Sequence, residues 1–494
     1  MNENLLAINK VIIYGAGMVG DLVRRYYEIN EVSGNIVSFA VTKKEGDNQF
    51  RGYRCTCIEN LKMHAQDCYV IIATFPGPQD DMETHLKTLG FDKIIRVDFE
   101  LYRLMSNTYI ENFLRDKVLG SSYDILYMAS DNNRTSGAFL CLVDIVKDMN
   151  RKGLQTLVVL PEYGNGEELL EEMQIDYTYV PSTTWLKKNA GEELTWQEKI
   201  RPDNEYAIRT IQKIIEQCSV KLVHCNTTYT NVGAMAAYNS GIPVVWHLRE
   251  KISEQGYGYE DANYFYQTIN NANKIVVVSE FLAQCYPKLN DEKKVIVYDG
   301  VDVERFFAKR RVLDNLIVNI IMPAAIYPLK RQEDLVKAAK ILKHKGIKYH
   351  IDFIGNGEKQ YIEKLKSIIK INDLKDNIDF VGEKSDIENC YKKADIVISC
   401  SGVESFGRVC VEGLLSGCLV IGANSGGTIE LLRDRGILFE YQNSDELALK
   451  IEYAIEHKEE MRKVAENGQN YAKNRFSKEI CSKKIYEIYQ ELMR

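Results

Sequence analysis

The segment Ser399–Leu432 constrains the possible folds of this chain more strongly than any other segment. The apolar run at 394–399 (ADIVIS) that leads into it has the length and the Ile and Val content of a buried strand. The pattern that follows predicts a helix from about Gly407, a second strand from Cys418 and another helix after Gly426-Gly427. In α/β folds, ligands bind beyond the carboxyl ends of parallel strands, where helix N-termini offer N–H groups to a phosphate. The stretch therefore predicts an anion-binding crevice in an α/β protein.

Two carboxylates lie in this stretch. Glu404 is in the predicted loop, and Glu412 follows eight positions later in a helix that is apolar on almost every side. A buried carboxylate is costly unless a partner binds it, and ligand hydroxyls are good partners. The spacing alone is common in charged chains, but the glycines at Gly407 and Gly426 let the backbone approach a ligand closely. We therefore predict that both carboxylates bind a ligand.

A glutamate followed after seven residues by a second glutamate resembles the donor-binding region of GT-B glycosyltransferases of family 4. The resemblance covers roughly residues 120–494. It implies that Glu404 acts at the sugar of a nucleotide-sugar donor, a UDP- or GDP-sugar, and that Glu412 binds the ribose hydroxyls of that donor. It also implies transfer with retention of anomeric configuration, with no metal ion and no required cofactor.

The resemblance places further residues around the donor diphosphate. Lys330 matches the lysine that neutralises the diphosphate in the family, and an exposed lysine beside a helix start is the alternative. The arginine expected five residues earlier is Ala325, so Arg331 or Arg408 would have to supply its charge. The other donor-site candidates are residues of the surrounding loops: Gly137, Gly355, Gly357, Gly382, Phe406, Gly407, Gly426 and Gly427.

Two histidines end predicted strands of the first half of the resemblance. His224 closes KLVH and His247 closes IPVVWH, which puts both on the ligand side of a parallel sheet. A single histidine is more often structural than chemical, but His247 is similar to the family's strand-end histidine beside the donor sugar and phosphate. We therefore predict a catalytic role for His247 and rank His224 below it. Arg249 and Glu250 either bind acceptor groups or pair with each other.

The N-terminal residues 10–20 (KVIIYGAGMVG) combine a strand, a glycine-rich turn and the start of a helix. This is the dinucleotide-binding fingerprint in its required context, and the turn residues are Gly15, Gly17 and Gly20. The second strand should end in an acid that holds a ribose, but Thr42-Lys43-Lys44 stands there and Asp47 comes late. A basic strand end would suit the 2′-phosphate of NADP, whereas glycines that only pack a strand against a helix need no ligand. We predict that this module supplies no catalytic group and needs no NAD(P), which leaves docking, oligomer assembly or sugar-nucleotide sensing.

Composition excludes several classes of protein. The 494 residues carry a net charge of −7, which argues against nucleic-acid binding. The 12 cysteines show no zinc-type pair, and without a signal peptide we expect reduced thiols in the cytoplasm. No apolar run approaches the ~20 residues of a membrane helix, so we expect a cytoplasmic protein or one peripheral to the inner face of the membrane.

We predict an α/β protein of three Rossmann-like modules, the last two forming a GT-B glycosyltransferase. It would move a sugar to a glycan, lipid-linked or polymer acceptor in bacterial surface polysaccharide biosynthesis. The polar region 181–201, with Trp185 and Trp196, is either an acceptor loop or a surface helix. An NAD(P)-dependent oxidoreductase or epimerase and a non-catalytic sugar-nucleotide sensor are the alternatives, and homo-oligomerisation stays open. The predicted modules are a Rossmann-like domain, the acceptor domain, the donor domain and a final helix that crosses back to the acceptor domain: 1–112, 120–305, 306–475 and 476–494.

Overall fold

Short strands rich in Val, Ile and Leu alternate with helices along the whole computed structural model. The structure describes residues 5–43, 48–162, 164–188, 204–309, 312–402 and 404–494, apart from the side chains of 254 and 255. The chain divides into two compact units. The first unit comprises Met1–Val143, Gly153–Cys225 and Tyr229–Ile242, and the second comprises Asp144–Lys152, Asn226–Thr228 and Pro243–Arg494. The four predicted module ranges stay a prediction.

The first unit begins with a six-stranded sheet in the order β3-β4-β2-β1-β5-β6. Its strands are β1 (Val11–Tyr14), β2 (Ile36–Val41), β3 (Asn48–Phe50), β4 (Tyr53–Cys57), β5 (Tyr69–Ile72) and β6 (Ile94–Arg96). All neighbours are parallel except β3 and β4, which form an antiparallel hairpin. The helices of this part are Met18–Ile29, Gln79–Thr88 and Phe99–Phe113.

A second set of parallel strands completes the first unit, in the order β11-β7-β8-β9. The strands of this part are β7 (Ile125–Met128), β8 (Thr156–Leu160), β9 (Tyr177–Tyr179), β10 (Leu186–Lys188) and β11 (Leu222–Cys225). The helices that alternate with them are Gly166–Glu172, Asn204–Gln217, Val232–Ser240 and the helix Gly137–Arg151, which belongs to the second unit from Asp144 onward.

The second unit contains the parallel strands β15-β14-β12 and a complete six-stranded parallel sheet in the order β18-β17-β16-β19-β20-β21. Its first strands are β12 (Val244–Leu248), β13 (Tyr257–Tyr259), β14 (Lys274–Val277) and β15 (Lys294–Ile296). The six-stranded sheet consists of β16 (Val318–Pro323), β17 (Tyr349–Ile354), β18 (Ile378–Gly382), β19 (Ile396–Ser399), β20 (Leu419–Ala423) and β21 (Ile437–Phe439).

Helices cover the strands of the second unit. They are Ala262–Asn270, Glu280–Cys285, Val303–Phe306, Gln332–His344, Lys359–Ile371, Ile387–Lys393, Arg408–Leu415, Thr428–Leu432, Ser444–Glu456, Lys458–Arg475 and Lys478–Leu492. The last helix contacts the earlier part of the unit, because Lys274 pairs with Glu491 at 2.9 Å and Lys478 lies 3.4 Å from Asp302. Across the described ranges, no helix combines the length and the apolar character that crossing a membrane requires.

The Rossmann-like α/β class predicted from the sequence is confirmed. The predicted strand at 394–399 is β19, which is buried at every position, and the predicted strand from Cys418 is β20. Because a parallel sheet is covered on both faces, such strands read as continuous apolar runs and are easy to recognise. The hairpin β3–β4 was not predicted, since its sequence around Arg51 is polar and gives little strand signal.

Candidate active site

Loops at the carboxyl edge of the six-stranded sheet of the second unit, β16 to β21, form the candidate site. They follow β16, β17, β18, β19 and β20, and hydrogen bonds join them to one another. The Gly427 amide donates to the Glu404 carbonyl at 2.7 Å, and the Gly355 amide donates to the Gly382 carbonyl at 2.9 Å. A side chain at Gly426 would meet the Glu404 carbonyl oxygen at 2.6 Å, so this position requires glycine. The glycines at Gly426 and Gly427 therefore let their loop lie directly against the backbone of Glu404, and this contact fixes the position of Glu404.

The structure brings together two of the predicted catalytic residues. Lys330 ends the 3₁₀ turn Pro328–Lys330 after β16, and its ammonium donates a hydrogen bond to the Glu404 carboxylate. The two side chains are 20% and 22% exposed, so both are reachable by a ligand while being largely removed from water. Burial alone would lower the pKa of Lys330, but the charge of Glu404 outweighs burial and the pKa is raised. Lys330 therefore keeps its positive charge at the carboxyl edge of the sheet.

Glu412 has a partner that the sequence analysis missed. The Tyr391 hydroxyl donates to the Glu412 carboxylate at 2.8 Å, and Arg408 lies 3.7 Å from the other carboxylate oxygen. Burial raises the pKa of Glu412, although Arg408 and the Tyr391 hydrogen bond both oppose that rise. Tyr391 is fully buried, and its place just before a buried strand is the only sequence signal that points to it.

Both arginines that were candidates for the charge missing at Ala325 already have partners. Arg331 pairs with Asp334 at 2.8 Å and lies over the ring of Tyr441 at 5.9 Å. Arg408 begins the helix Arg408–Leu415 and contacts the Gly300 carbonyl at 3.4 Å as well as Glu412. Which arginine faces a donor diphosphate stays a prediction.

The remaining donor-site candidates occupy the same loops, with one exception. Gly407 precedes the helix Arg408–Leu415, Phe406 packs near Tyr298 with ring centroids 5.8 Å apart, and Gly357 lies after β17. Gly137, the exception, lies in the first unit, where it begins the helix Gly137–Arg151.

His247 is held by a chain of buried polar groups in the second unit. Its ring Nδ1 lies 3.3 Å from an Arg249 guanidinium nitrogen. Arg249 also pairs with Asp299 and donates to Asn226 at 2.9 Å. Because a guanidinium can only donate, Nδ1 of His247 accepts in this contact and the proton of the neutral ring is on Nε2. The prediction that Arg249 and Glu250 bind an acceptor stays open.

Thr228 binds the Glu250 carboxylate, and Arg249 acts on the pKa of Glu250 through its charge and its backbone amide. Its carboxylate accepts hydrogen bonds from the Thr228 amide at 2.7 Å and from the Thr228 hydroxyl at 2.6 Å. Burial raises the pKa of Glu250.

His224 and the tryptophan region belong to the first unit. His224 is fully buried, with its ring centroid 5.3 Å from that of Tyr127, which is the environment of a core histidine. Trp185 precedes the short strand β10, and Trp196 lies outside the described residues, as do Lys44 and Asp47.

Within the described part of the chain, one group of three side chains is close enough to hold a cation. It consists of His350, Asp352 and Asp379, which lie on the adjacent strands β17 and β18. His350 is 3.2 Å from Asp352 and 3.4 Å from Asp379. These residues precede the loops of the candidate site and include neither Glu404 nor Glu412.

Two parts of the chain match known sequence families. Residues 307–471 match the family described as Glycosyl transferases group 1, and residues 135–305 match Glycosyltransferase Family 4. Together these matches cover more than half of the chain and include the loops of Lys330, Glu404 and Glu412. The chain belongs to the GT-B glycosyltransferases of the family 4 type, and it is therefore a glycosyltransferase enzyme.

Individual relatives have low sequence identity to this chain, but the matches cover more than half of its length. An uncharacterized glycosyltransferase of Methanocaldococcus jannaschii is 27% identical over 288 residues, which are 57% of this chain and 78% of that protein. The putative glycosyltransferase EpsD of Bacillus subtilis is 24% identical over 59% of this chain and 82% of its own length. The crystal structure of Anabaena HepE in complex with UDP and glucose has a TM-score of 0.63 and 23% identity, covering 75% of this chain and all of that one. This last likeness confirms the GT-B fold.

Proposed function

We propose that this protein is a retaining glycosyltransferase that uses a nucleotide-sugar as donor. The observation that carries the proposal is the Lys330–Glu404 pair at the carboxyl edge of the six-stranded sheet. Glu412 follows eight positions later, in the helix Arg408–Leu415 that begins at this edge. The two carboxylates offer acceptors for sugar and ribose hydroxyls, and the charged lysine offers a cation for a diphosphate.

The chemistry that this arrangement supports is electrostatic. As the acceptor hydroxyl bonds to the anomeric carbon, the bond between the sugar and the nucleoside diphosphate breaks, the hydroxyl proton passes to the departing diphosphate, and negative charge develops on that diphosphate. Lys330 would stabilise that charge, and so would the N-terminus of the helix Arg408–Leu415, whose first N–H groups receive no side-chain cap because Gly407 precedes them. Such a site needs no metal ion to balance the charge, and we include that absence in the proposal.

The donor nucleotide that we propose is a UDP-sugar, with a GDP-sugar as the alternative. Its support is the similarity in fold to HepE, whose crystal structures contain UDP, UDP and glucose, or UDP-glucose. For the acceptor we propose a glycan, a lipid-linked sugar or a polymer of a surface polysaccharide. The N-terminal module takes no nicotinamide cofactor in this proposal.

A nucleotide-sugar panel tests the proposal. Full-length protein is incubated with UDP- and GDP-sugars in turn, with methyl glycosides supplied as acceptors and water as the alternative acceptor, and release of the nucleoside diphosphate is measured, with NAD and NADP added in a parallel series. We expect release from at least one donor and a loss of about 100-fold or more in Glu404→Gln, the scale of one well-placed electrostatic group. Lys337→Gln is the matched control, because Lys337 pairs with Glu333 at 3.0 Å on the exposed face of the next helix.

Each other outcome contradicts a stated part of the proposal. Binding of a donor without release would indicate a sugar-nucleotide sensor. Release that depends on added NAD or NADP would indicate an enzyme that works through the N-terminal module. Unchanged release in Glu404→Gln would remove Glu404 from the catalytic site.

A further inference from the structure

A cavity of about 460 Å³ lies within the first unit, away from the residues assigned above. Four segments line it: the N-terminal turn at Gly17, the hairpin turn at Phe50 and Arg51, the loop after β7 at Asn132 and the loop after β8 at Glu162. A volume of this size is in the range of ligand-binding clefts.

The carboxyl ends of strands from two sheets, the N-terminal sheet with β1 and the sheet with β7 and β8, lie at this cavity. Gly17 follows β1, while Asn132 and Glu162 follow β7 and β8, so all three lie beyond the carboxyl ends of parallel strands. Open α/β sheets bind their ligands at this edge. The cavity therefore has the position of a ligand site that both sheets share.

Contacts beside the cavity hold its walls in place. Arg25 pairs with Glu167 at 2.5 Å, and Arg51 pairs with Glu168 at 2.5 Å. Aromatic packing adds to these ion pairs, since the rings of Tyr109 and Tyr179 lie with centroids 5.5 Å apart. These contacts join helices and the hairpin of the N-terminal part to the helix Gly166–Glu172 and to β9, so the two sides of the cavity belong to one packed body.

Packing accounts for two of the three glycines in the N-terminal turn but not for the third. A side chain at Gly20 would lie 2.0 Å from the Gly15 carbonyl oxygen, and one at Gly15 would lie 2.4 Å from the Ala73 carbonyl oxygen. Gly17 faces open space, because no atom within 4 Å would meet a side chain there. The backbone at Gly17 is thus left open toward the cavity.

The charges of the lining disfavour a dinucleotide. Arg51 is the one cation among the described lining residues, and it is already bonded to Glu168 and lies 3.7 Å from Asp21. Asp21 also pairs with Arg25 and Glu168 with Arg134, so the described lining offers a diphosphate no cation that is not already paired.

The same lining suits hydroxyl groups. Carboxylate and amide oxygens accept hydrogen bonds from hydroxyls, and a guanidinium donates to them. Asn132 is 4% exposed, and its amide nitrogen donates to the Glu162 carbonyl at 3.1 Å, which holds two of the lining loops together.

We propose that this cavity binds a neutral sugar unit of the acceptor, so that the N-terminal module serves as part of the acceptor site. The inference rests on the proposed function, since a glycosyltransferase that uses Lys330 and Glu404 for its donor needs a separate place for a hydroxyl-bearing second substrate. The proposed ligand is an uncharged saccharide and not the dinucleotide that the glycine pattern by itself suggests.

A cavity-filling variant tests the inference. Gly17→Leu adds a side chain to the open space without a left-handed backbone angle to strain it. Gly34→Leu is the matched control, because Gly34 is an exposed glycine of the same module with equally open surroundings outside the cavity. The probes are the methyl glycosides of glucose, galactose and N-acetylglucosamine and, separately, NAD, each followed by saturation-transfer difference NMR on the full-length protein.

We expect at least one methyl glycoside to bind wild type and Gly34→Leu alike, and to bind Gly17→Leu at least about tenfold more weakly, as expected when a ligand is sterically displaced. Circular dichroism checks that both variants are folded. The inference is overturned if no glycoside binds, if Gly17→Leu binds as wild type does, if Gly34→Leu loses binding equally, or if NAD is the probe that Gly17→Leu displaces. Calorimetry of UDP with wild type tests the donor proposal separately, so a failure of one proposal is not read as a failure of the other.

Discussion

The side chain of Glu167 makes the local stability of the first unit depend on pH. It is 1% exposed, and burial raises its pKa from 4.5 to about 7 although it pairs with Arg25. A carboxyl group whose pKa is raised by folding stabilises the folded state most below its unfolded pKa. That contribution is lost as the pH rises through the folded pKa. The contribution of Glu167 to the stability of the folded unit should therefore fall between pH 5 and pH 8.

The size of the effect follows from the pKa change. One unit of pKa difference corresponds to about 1.4 kcal/mol, so a rise from 4.5 to about 7 costs about 3 kcal/mol in full. Between pH 5 and pH 8 most of this amount is lost, about 2–3 kcal/mol. Glu167→Gln keeps the shape of the side chain and removes the titration, so the variant should lack this pH dependence.

Hydrogen–deuterium exchange measures the effect where it arises. Protection of the helices Met18–Ile29 and Gly166–Glu172 is compared between wild type and Glu167→Gln at pH 5 and at pH 8. We expect wild type to lose about 2–3 kcal/mol of local opening free energy relative to the variant over this interval. Glu172→Gln is the control, since Glu172 is on the same helix but its side chain is 55% exposed. Parallel pH profiles for wild type and Glu167→Gln would refute the reasoning.

Three further predictions concern the second unit. Glu412→Ala should raise the donor KM at least about tenfold with a smaller change in kcat, and an equal loss in both would argue against a pure binding role. Tyr391→Phe removes one hydrogen bond to a carboxylate and should raise the donor KM about tenfold. Because the Tyr391 hydrogen bond lowers the pKa of Glu412, the acid limb of the KM profile should also move to higher pH, a shift that lost packing alone would not produce. Asp299→Asn leaves Arg249 without its buried carboxylate and should destabilise the fold by about 3 kcal/mol, measured by thermal unfolding against Glu304→Gln, a substitution at an exposed position of the neighbouring helix.

Local features of this protein were accessible from the sequence because their causes lie within a few residues. The buried strands Ile396–Ser399 and Leu419–Ala423 are recognisable in the sequence as continuous apolar runs. Ser279 caps the helix Glu280–Cys285, since its hydroxyl accepts the amide of Leu282, three residues ahead in the sequence, at 3.0 Å. The glutamate spacing at Glu404 and Glu412 led to the correct family for the same reason, since both carboxylates belong to one loop and helix.

Partnerships between distant residues were decided only by the tertiary structure. Lys330 and Glu404 are 74 positions apart, and their pairing depends on β16 and β19 being neighbours in the sheet. The partner of Glu412 is Tyr391, which no spacing rule connects to it. At the N-terminus the glycine pattern predicted the turn, but whether that turn is open to a ligand depends on loops more than 100 residues later in the chain. Sequence periodicity reports the burial of each element, whereas the order of strands determines which side chains meet, and the side chains that meet determine the chemistry.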